Sequence, residues 1–380
     1  MKSIGIIAEY NPFHNGHLYH LKSIKEKYPD YVIILVMSGN FTERGDFTII
    51  DKWKRSLIAL KLGIDLVVEL PYPFATQSAD YFSFGAITIL EKLNVEKVIF
   101  GSESNKIEDL ELIAKTQINN DEFDKLVKIY SKMGNNYPTA IHNAIYDLTG
   151  KEIDTPNDLL GVSYLKAIYK NNYKIKAETI KRINNYHELE LNSTFSSATS
   201  IREALKRDED VSEHIPSEVT PYLKDLHFID DYFSILKYKI ITCNDLSIYQ
   251  TVDEGIDKVI KKEIENANSY EELINLVKSK RYTYNKIKRM LLHILCNFTK
   301  EMAISFKNIN YIRILGFNDK GRNYLSKIKR DLDIPLISKI NKEKDSMLNF
   351  EIETTKIYDI LNNSNLVKNE FGKIIYYEGD

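Results

Sequence analysis

Residues 3–17 read Ser-Ile-Gly-Ile-Ile-Ala-Glu-Tyr-Asn-Pro-Phe-His-Asn-Gly-His, an apolar strand that runs straight into a His-x-Gly-His turn. Ile4, Ile6 and Ile7 would bury the strand. Asn11 and Pro12 then stop it, because proline lacks the ladder donor and favours a turn. Gly16 lets the backbone pass close to a ligand, and residues 17–27 read as a helix. His14 and His17 therefore fall at the carboxyl end of a first strand and the amino end of a helix. Free backbone amides and the helix dipole there favour an anion such as a phosphate. The plainer reading is a pair of surface histidines in a loop; two of them flanking a glycine directly after an N-terminal strand favour the anion site.

The next segments repeat the strand–helix alternation. Residues 31–37 (Tyr-Val-Ile-Ile-Leu-Val-Met) are dense in β-branched residues and predict a second buried strand. Asp51 suits an N-cap for a helix over residues 52–62, with Gly63 as its stop. A third strand is expected over residues 65–70, ended by Pro71 and Pro73. A helix over 78–93 and a fourth strand over 97–101 follow. Residues 107–130 and 157–170 have helical period, the latter capped by Thr155 or Asn157, and residues 173–180 alternate like a fifth strand. Strands separated by helices of this length predict βαβ units, hence a Rossmann-like α/β domain with a parallel sheet. Right-handed crossovers put the loops after each strand along one edge, where such sheets bind ligands. Pro216 and Pro221 mark a boundary, giving an N-terminal domain over 1–210 and a mostly α-helical, lysine-rich region over 211–380.

Composition removes several classes of protein. The chain has 380 residues, 43% apolar and 28% charged, which suits a folded, water-soluble protein rather than a disordered one. A formal net charge of −2 gives no global sign of nucleic-acid binding, so any basic surface is local. The two cysteines, Cys243 and Cys296, lack metal-ligand spacing and are too few for a disulfide framework. No signal peptide or membrane-length apolar run is present, and a cytoplasmic protein is expected.

A second phosphate motif lies at Ser197-Ala-Thr199-Ser200-Ile-Arg202, opening another helix. Hydroxyls and free amides there can cradle phosphates while Arg202 forks onto them. Its plainer reading is a capping sequence, Ser200-x-x-Glu203. The first turn resembles the signature of the HxGH nucleotidyltransferase superfamily, which attacks the α-phosphate of ATP and releases pyrophosphate. The second resembles that superfamily's Ser-Ser-Thr-x-Ile-Arg motif, from which Ala198 departs.

A narrower resemblance rests on Met37-Ser-Gly-Asn-Phe-Thr-Glu-Arg-Gly45, Asp51-Lys-Trp53, Asp65-Leu-Val-Val-Glu-Leu-Pro71, Phe100-Gly-Ser-Glu103 and Thr155-Pro-Asn157-Asp-Leu-Leu-Gly161. In that order, along nearly the whole chain, they are similar to the bacterial tRNA(Met) cytidine acetate ligases. The resemblance implies activation of acetate with ATP, as acetyl-adenylate, and acetylation of N4 of the wobble cytidine of elongator tRNA(Met). It implies an ATP site at Ile7, Ala8, Glu9, Tyr10, Asn11, Pro12, Phe13, His14, Asn15, Gly16, His17, Leu18, Tyr19 and His20, then Gly101, Asn157, Arg182 and Ile183. Ser197, Thr199 and Arg202 join it through the second motif. Plain structural roles compete for some of these: a strand end for Gly101, an N-cap for Asn157, a solvated charge for Arg182. His14 and His17 would be catalytic, their N–H donors stabilising the charge that gathers on the transferring phosphorus. Mg²⁺ would shield the triphosphate; no metal-ligating residue is assigned.

Lys278, Lys280, Arg281, Lys286, Lys288 and Arg289, interleaved with Tyr282 and Tyr284, suit RNA phosphate contacts plus stacking. The usual explanation of such a run is a charged helix face beside a core; the implied tRNA substrate favours binding. Arg313, Lys320, Arg322, Lys327, Lys329 and Arg330 would extend that surface. Two other functions fit less of the chain. A nucleotidyltransferase of coenzyme synthesis leaves the C-terminal half without a role. A non-catalytic tRNA- or ribosome-binding factor leaves His14 and His17 without one.

Overall fold

The structure is a computed structural model that describes residues 1–183, 196–279, 281–340, 345–372 and 374–378. Its strands are β1 (Ser3–Ala8), β2 (Val32–Ser38), β3 (Leu66–Leu70), β4 (Lys97–Ser102), β5 (Lys176–Lys181), β6 (Ile312–Phe317), β7 (Leu336–Ile337) and β8 (Ile375–Tyr376). They form one sheet in the order β5-β4-β1-β2-β3-β6-β7, with β8 also on β6. The first five strands are parallel throughout, as the alternating pattern requires.

Burial explains why β2 is apolar from Val32 to Met37. Val32, Ile34 and Val36 pack into the core on one face of the sheet. Ile33, Leu35 and Met37 pack into the core on the other. With a period of two, a strand covered on both sides can spare no polar position. The helix Lys52–Lys61 begins where Asp51 caps it, the carboxylate accepting from Trp53 N and Lys54 N at 3.0 Å.

The C-terminal half is mostly helical, as expected, yet it also returns to the sheet. β6 pairs antiparallel with β3, Leu66 opposite Phe317 and Glu69 opposite Arg313. Ile312-Arg-Ile-Leu-Gly-Phe does not announce itself as a strand, because Arg313 interrupts its apolar face. That arginine is 3% exposed and paired with Glu370 at 2.9 Å, with Glu69 at 3.6 Å. The expectation that Arg313 extends a basic surface is therefore overturned: a carboxylate pair has taken it into the core. The core on the β2 Val32/Ile34/Val36 face continues without a break into helices beyond residue 229.

Candidate active site

The turn after β1 is fixed by its own side chains. The helix Asn15–Lys27 starts two residues earlier than its period suggests, with His14 as N-cap. His14 Nδ1 accepts from Gly16 N at 3.0 Å, and His17 Nδ1 accepts from His14 N at 3.2 Å. This is a capping box built from imidazoles. A ring nitrogen that accepts an amide N–H carries no proton, so each neutral ring holds its proton on Nε2. The two rings stack at 3.7 Å between centroids, with Tyr10 and Phe13 against His17 at 4.8 and 5.5 Å. Burial, reinforced by Arg182 and Arg202, pushes His14 down to about 3. Burial, the neighbouring His14, Arg182 and His20 push His17 well below its usual range. Both rings are uncharged N–H donors at neutral pH.

Three further elements close around this turn. Asn11 ties it to the loop after β2, accepting from Ile49 N at 2.7 Å and donating to Phe47 O at 3.2 Å. Arg55, 1% exposed, donates to the carbonyls of Glu9 (2.6 Å), Ser38 (3.1 Å), Ile50 (2.9 Å) and Gly39. It looks like a solvated helix charge in sequence, and only the converging strand ends reveal its role. The second motif arrives on the helix Ala198–Lys206, capped by Ser197, which accepts from Ser200 N at 3.1 Å. Arg202 leans back onto Asn11 O at 2.7 Å and Thr199 Oγ1 at 3.3 Å. The motif thus caps its helix and also reaches the histidine turn.

These parts line one cavity of about 790 Å³. Ile7, Ala8, Glu9, Tyr10, Asn11, His14, Gly16, His17, Tyr19 and His20 line it from the first turn. Gly101, Asn157, Arg182, Ile183, Ser197, Thr199 and Arg202 complete that wall. Pro12, Phe13, Asn15 and Leu18 are not among the lining residues. Phe13 is core, 1% exposed, and Asn15 is turned to Glu213 O at 2.8 Å. On the β4–β5 side, Glu103 accepts from Asn157 Nδ2 at 2.5 Å and from Asp158 N at 3.1 Å, with Arg182 Nε at 3.7 Å. The cap of the helix Pro156–Lys170 is Thr155, which leaves the Asn157 side chain to this cavity wall.

The profile of the HIGH Nucleotidyl Transferase family matches residues 1–372. The tRNA(Met) cytidine acetate ligase of Anoxybacillus flavithermus is 39% identical over 94% of both chains. That of Clostridium perfringens is 39% identical over 98% of both. The chain belongs to the tRNA(Met) cytidine acetate ligase family. Among solved structures, apo Thermotoga maritima TmcAL superposes with a TM-score of 0.92 at 31% identity, both chains covered in full. The same protein bound with alpha-thio ATP gives 0.88 at 31% identity, again over both whole chains.

In this ligase-family chain the C-terminal half supplies cavity wall that the nucleotide motifs do not foretell. Asp230, Tyr270, Glu271, Tyr284, Asn285 and Lys288 all line it. Lys288 Nζ pairs with Asp46 at 2.5 Å, and Arg289 pairs with Glu43 at 3.0 Å. Gly45, at φ 79°, lies so close to the helix Tyr284–Leu295 that a Cβ there would strike the backbone of Lys288 and Arg289. The run at 278–289 thus divides: Lys288 and Arg289 grip the loop after β2, while Lys278 and Arg281 are exposed. Lys286 lies over the Tyr282 ring at 4.9 Å. Lys280 lies outside the described residues.

Proposed function

We propose that this chain is an ATP-dependent ligase that activates acetate as acetyl-adenylate and acetylates N4 of the wobble cytidine of elongator tRNA(Met). One observation carries the reading: two neutral, Nε2-protonated imidazoles stacked at a helix N-terminus, at the head of a cavity reached by Arg182 and Arg202. An acetate oxygen attacks the α-phosphorus, and the bond to the pyrophosphate oxygen breaks. His14 and His17 donate to the oxygens on which charge gathers, a stabilisation larger in the transition state than before it. The cytidine amine then forms the bond to the acetyl carbon, AMP departs with the acyl oxygen, and the amine gives up a proton. Carboxylate alone is a poor acyl donor, which is why activation comes first.

Within residues 7–20 those that line the cavity, with Gly101, Asn157, Arg182, Ile183, Ser197, Thr199 and Arg202, are proposed to hold ATP, while Pro12, Phe13, Asn15 and Leu18 support the turn from behind it. The α/β part over 1–210 carries the chemistry, and the helical part over 211–380 holds the tRNA. Lys278, Lys280, Arg281 and Lys286 are proposed to meet its phosphates, with Lys288 and Arg289 acting through the loop they grip. Among the described residues no group of three metal-ligating side chains is gathered, so Mg²⁺ is proposed only as a counter-ion brought by the nucleotide's phosphates. No helix among the described residues is long and apolar enough to cross a membrane; the cytoplasmic site of action is proposed from the tRNA substrate.

The test is mass measurement of nucleosides from elongator tRNA(Met) after incubation with ATP and labelled acetate. An acetylated cytidine carrying the label is expected. Turnover of ATP that ignores acetate would point to coenzyme synthesis, and tRNA affinity without turnover to a binding factor.

A further inference from the structure

The cavity has two walls of different chemistry. Towards β4 and β5 it carries the arginine, asparagine and glycine of the nucleotide assignment. It is also lined by Asp46, Asp230, Tyr270, Glu271 and Tyr284, none of which belongs to that assignment. Tyr270 begins the helix Tyr270–Val277, and Tyr284 begins the helix Tyr284–Leu295, so two aromatic rings enter from neighbouring helix starts.

Tyr270 is 3% exposed, and its hydroxyl has no hydrogen-bond partner. A phenol buried so far without a partner is costly unless a bound molecule supplies one. Burial first, then Asp46, Tyr284, Asp230 and Glu271, pushes its ionisation far up; the group stays protonated and acts as a donor. Around it stand acceptors. Glu271 takes a hydrogen bond from the Tyr284 hydroxyl. Asp46 and Asp230 are paired with Lys288 at 2.5 Å and Lys206 at 2.8 Å. With both lysines neutralised in this way, the wall offers no surplus positive charge to acetate or pyrophosphate.

A phenolic donor set among carboxylate acceptors complements a planar ring with an exocyclic amine beside an acceptor nitrogen and a carbonyl. Cytosine has that pattern in its N4 amine, N3 and O2. Uracil inverts it, presenting O4 to the carboxylates and an N3–H to the phenol. We propose that this wall seats the amine-bearing pyrimidine, with the Tyr270 hydroxyl donating to the ring and the Glu271 and Asp46 carboxylates accepting from the amine. The proposal rests on the ligase reading, and it makes Tyr270 and Glu271 specificity-determining residues for the second half-reaction. Aromatic stacking on the partly buried Tyr284 would hold a base splayed from an RNA loop.

The test uses the full chain and two RNA hairpins that differ only by cytidine or uridine at the acetylated position. Acetate-dependent pyrophosphate release by the unaltered protein is scored first; its absence overturns the ligase reading, and this proposal with it. Competition binding then gives the cytidine-to-uridine preference. Tyr270→Phe, which removes one oxygen, is expected to lower that preference about tenfold by weakening the cytidine hairpin. Glu271→Gln, at an exposed helix position, replaces an acceptor with a group that can donate to O4 and is expected to lower it similarly. If Tyr270→Phe does not fold, the Glu271 variant decides alone. A preference unchanged from the unaltered protein in the folded variants overturns the assignment while leaving adenylation standing.

Discussion

In the proposed reaction His14 and His17 would meet developing phosphate charge with N–H donors that carry no charge of their own, and so would not grip the ground-state triphosphate as cations do. Their neutrality has consequences for pH. Desolvation pushes His14 down to about 3 in the folded chain, the half-buried His20 to about 4 and the buried His293 to about 3. Unfolded, each would bind a proton near 6.5. Between those values the unfolded chain holds protons that the native one refuses, so stability is full above about pH 6.5 and is lost as pH falls. Each histidine contributes at most about 1.4 kcal/mol per pH unit. Urea unfolding at pH 7, 6 and 5 should show the decline, and His14→Gln should make it shallower. For His17→Ala, acetate-dependent pyrophosphate release should drop by about 10²–10³-fold, as expected for a lost transition-state donor. The lost capping acceptor should cost only about 1 kcal/mol in the same urea titration.

At the scale of elements, the first five strands and the helices that open at the histidine turn and at Ser197 could be read from the sequence, because their signals are local. A run such as Val32-Ile-Ile-Leu-Val-Met37 or an Asp51 cap carries its reason within a few residues. Arg55 could not be read this way. Its partners are carbonyls at the ends of β1 and β2 and at Ile50, brought together only by the parallel sheet. β6 stayed hidden for the same reason: Arg313 looks solvated until Glu69 and Glu370 are placed beside it. The basic run at 278–289 was legible as charge but not as a clamp, since Asp46 and Glu43 lie over two hundred residues earlier. Arg55→Met tests the hidden part. It leaves the Glu9, Ser38, Gly39 and Ile50 carbonyls without their donor, and buried groups so stranded cost about 1–3 kcal/mol each before relaxation. A loss of at least about 3 kcal/mol, seen as a lower denaturant midpoint at constant m, is expected. Adenylation should fall with it, because the same carbonyls fix the turn that carries His14.

The whole molecule is joined by charges as well as by apolar packing. Lys52 is 1% exposed and pairs with Glu69 at 2.7 Å and Glu370 at 2.8 Å. Arg313 completes the square, with Thr355 donating to Glu370 at 2.5 Å. Glu351 holds Tyr72 N at 2.6 Å, and burial beside Glu69 pushes its carboxyl up to about 8. A neutral Glu351 leaves two cations facing two anions, a balance that burial demands. Lys52 and Glu69 come from the α/β half; Arg313, Glu351 and Glu370 come from the other. Removing the Glu370 carboxylate with Glu370→Ala should cost about 3–5 kcal/mol, because Lys52 and Arg313 are left buried and underpaired. The same reasoning forbids independence of the two halves. A chain ending at residue 210 would expose the β3 edge that β6 covers. It would also strand Lys52 without Glu370 and open a core that runs on into the C-terminal helices. That fragment should show no cooperative thermal transition, whereas the full chain should melt in one. A cooperative melt from the fragment would mean that sheet and charge square are dispensable to each other, and the division of labour would then be between separable domains.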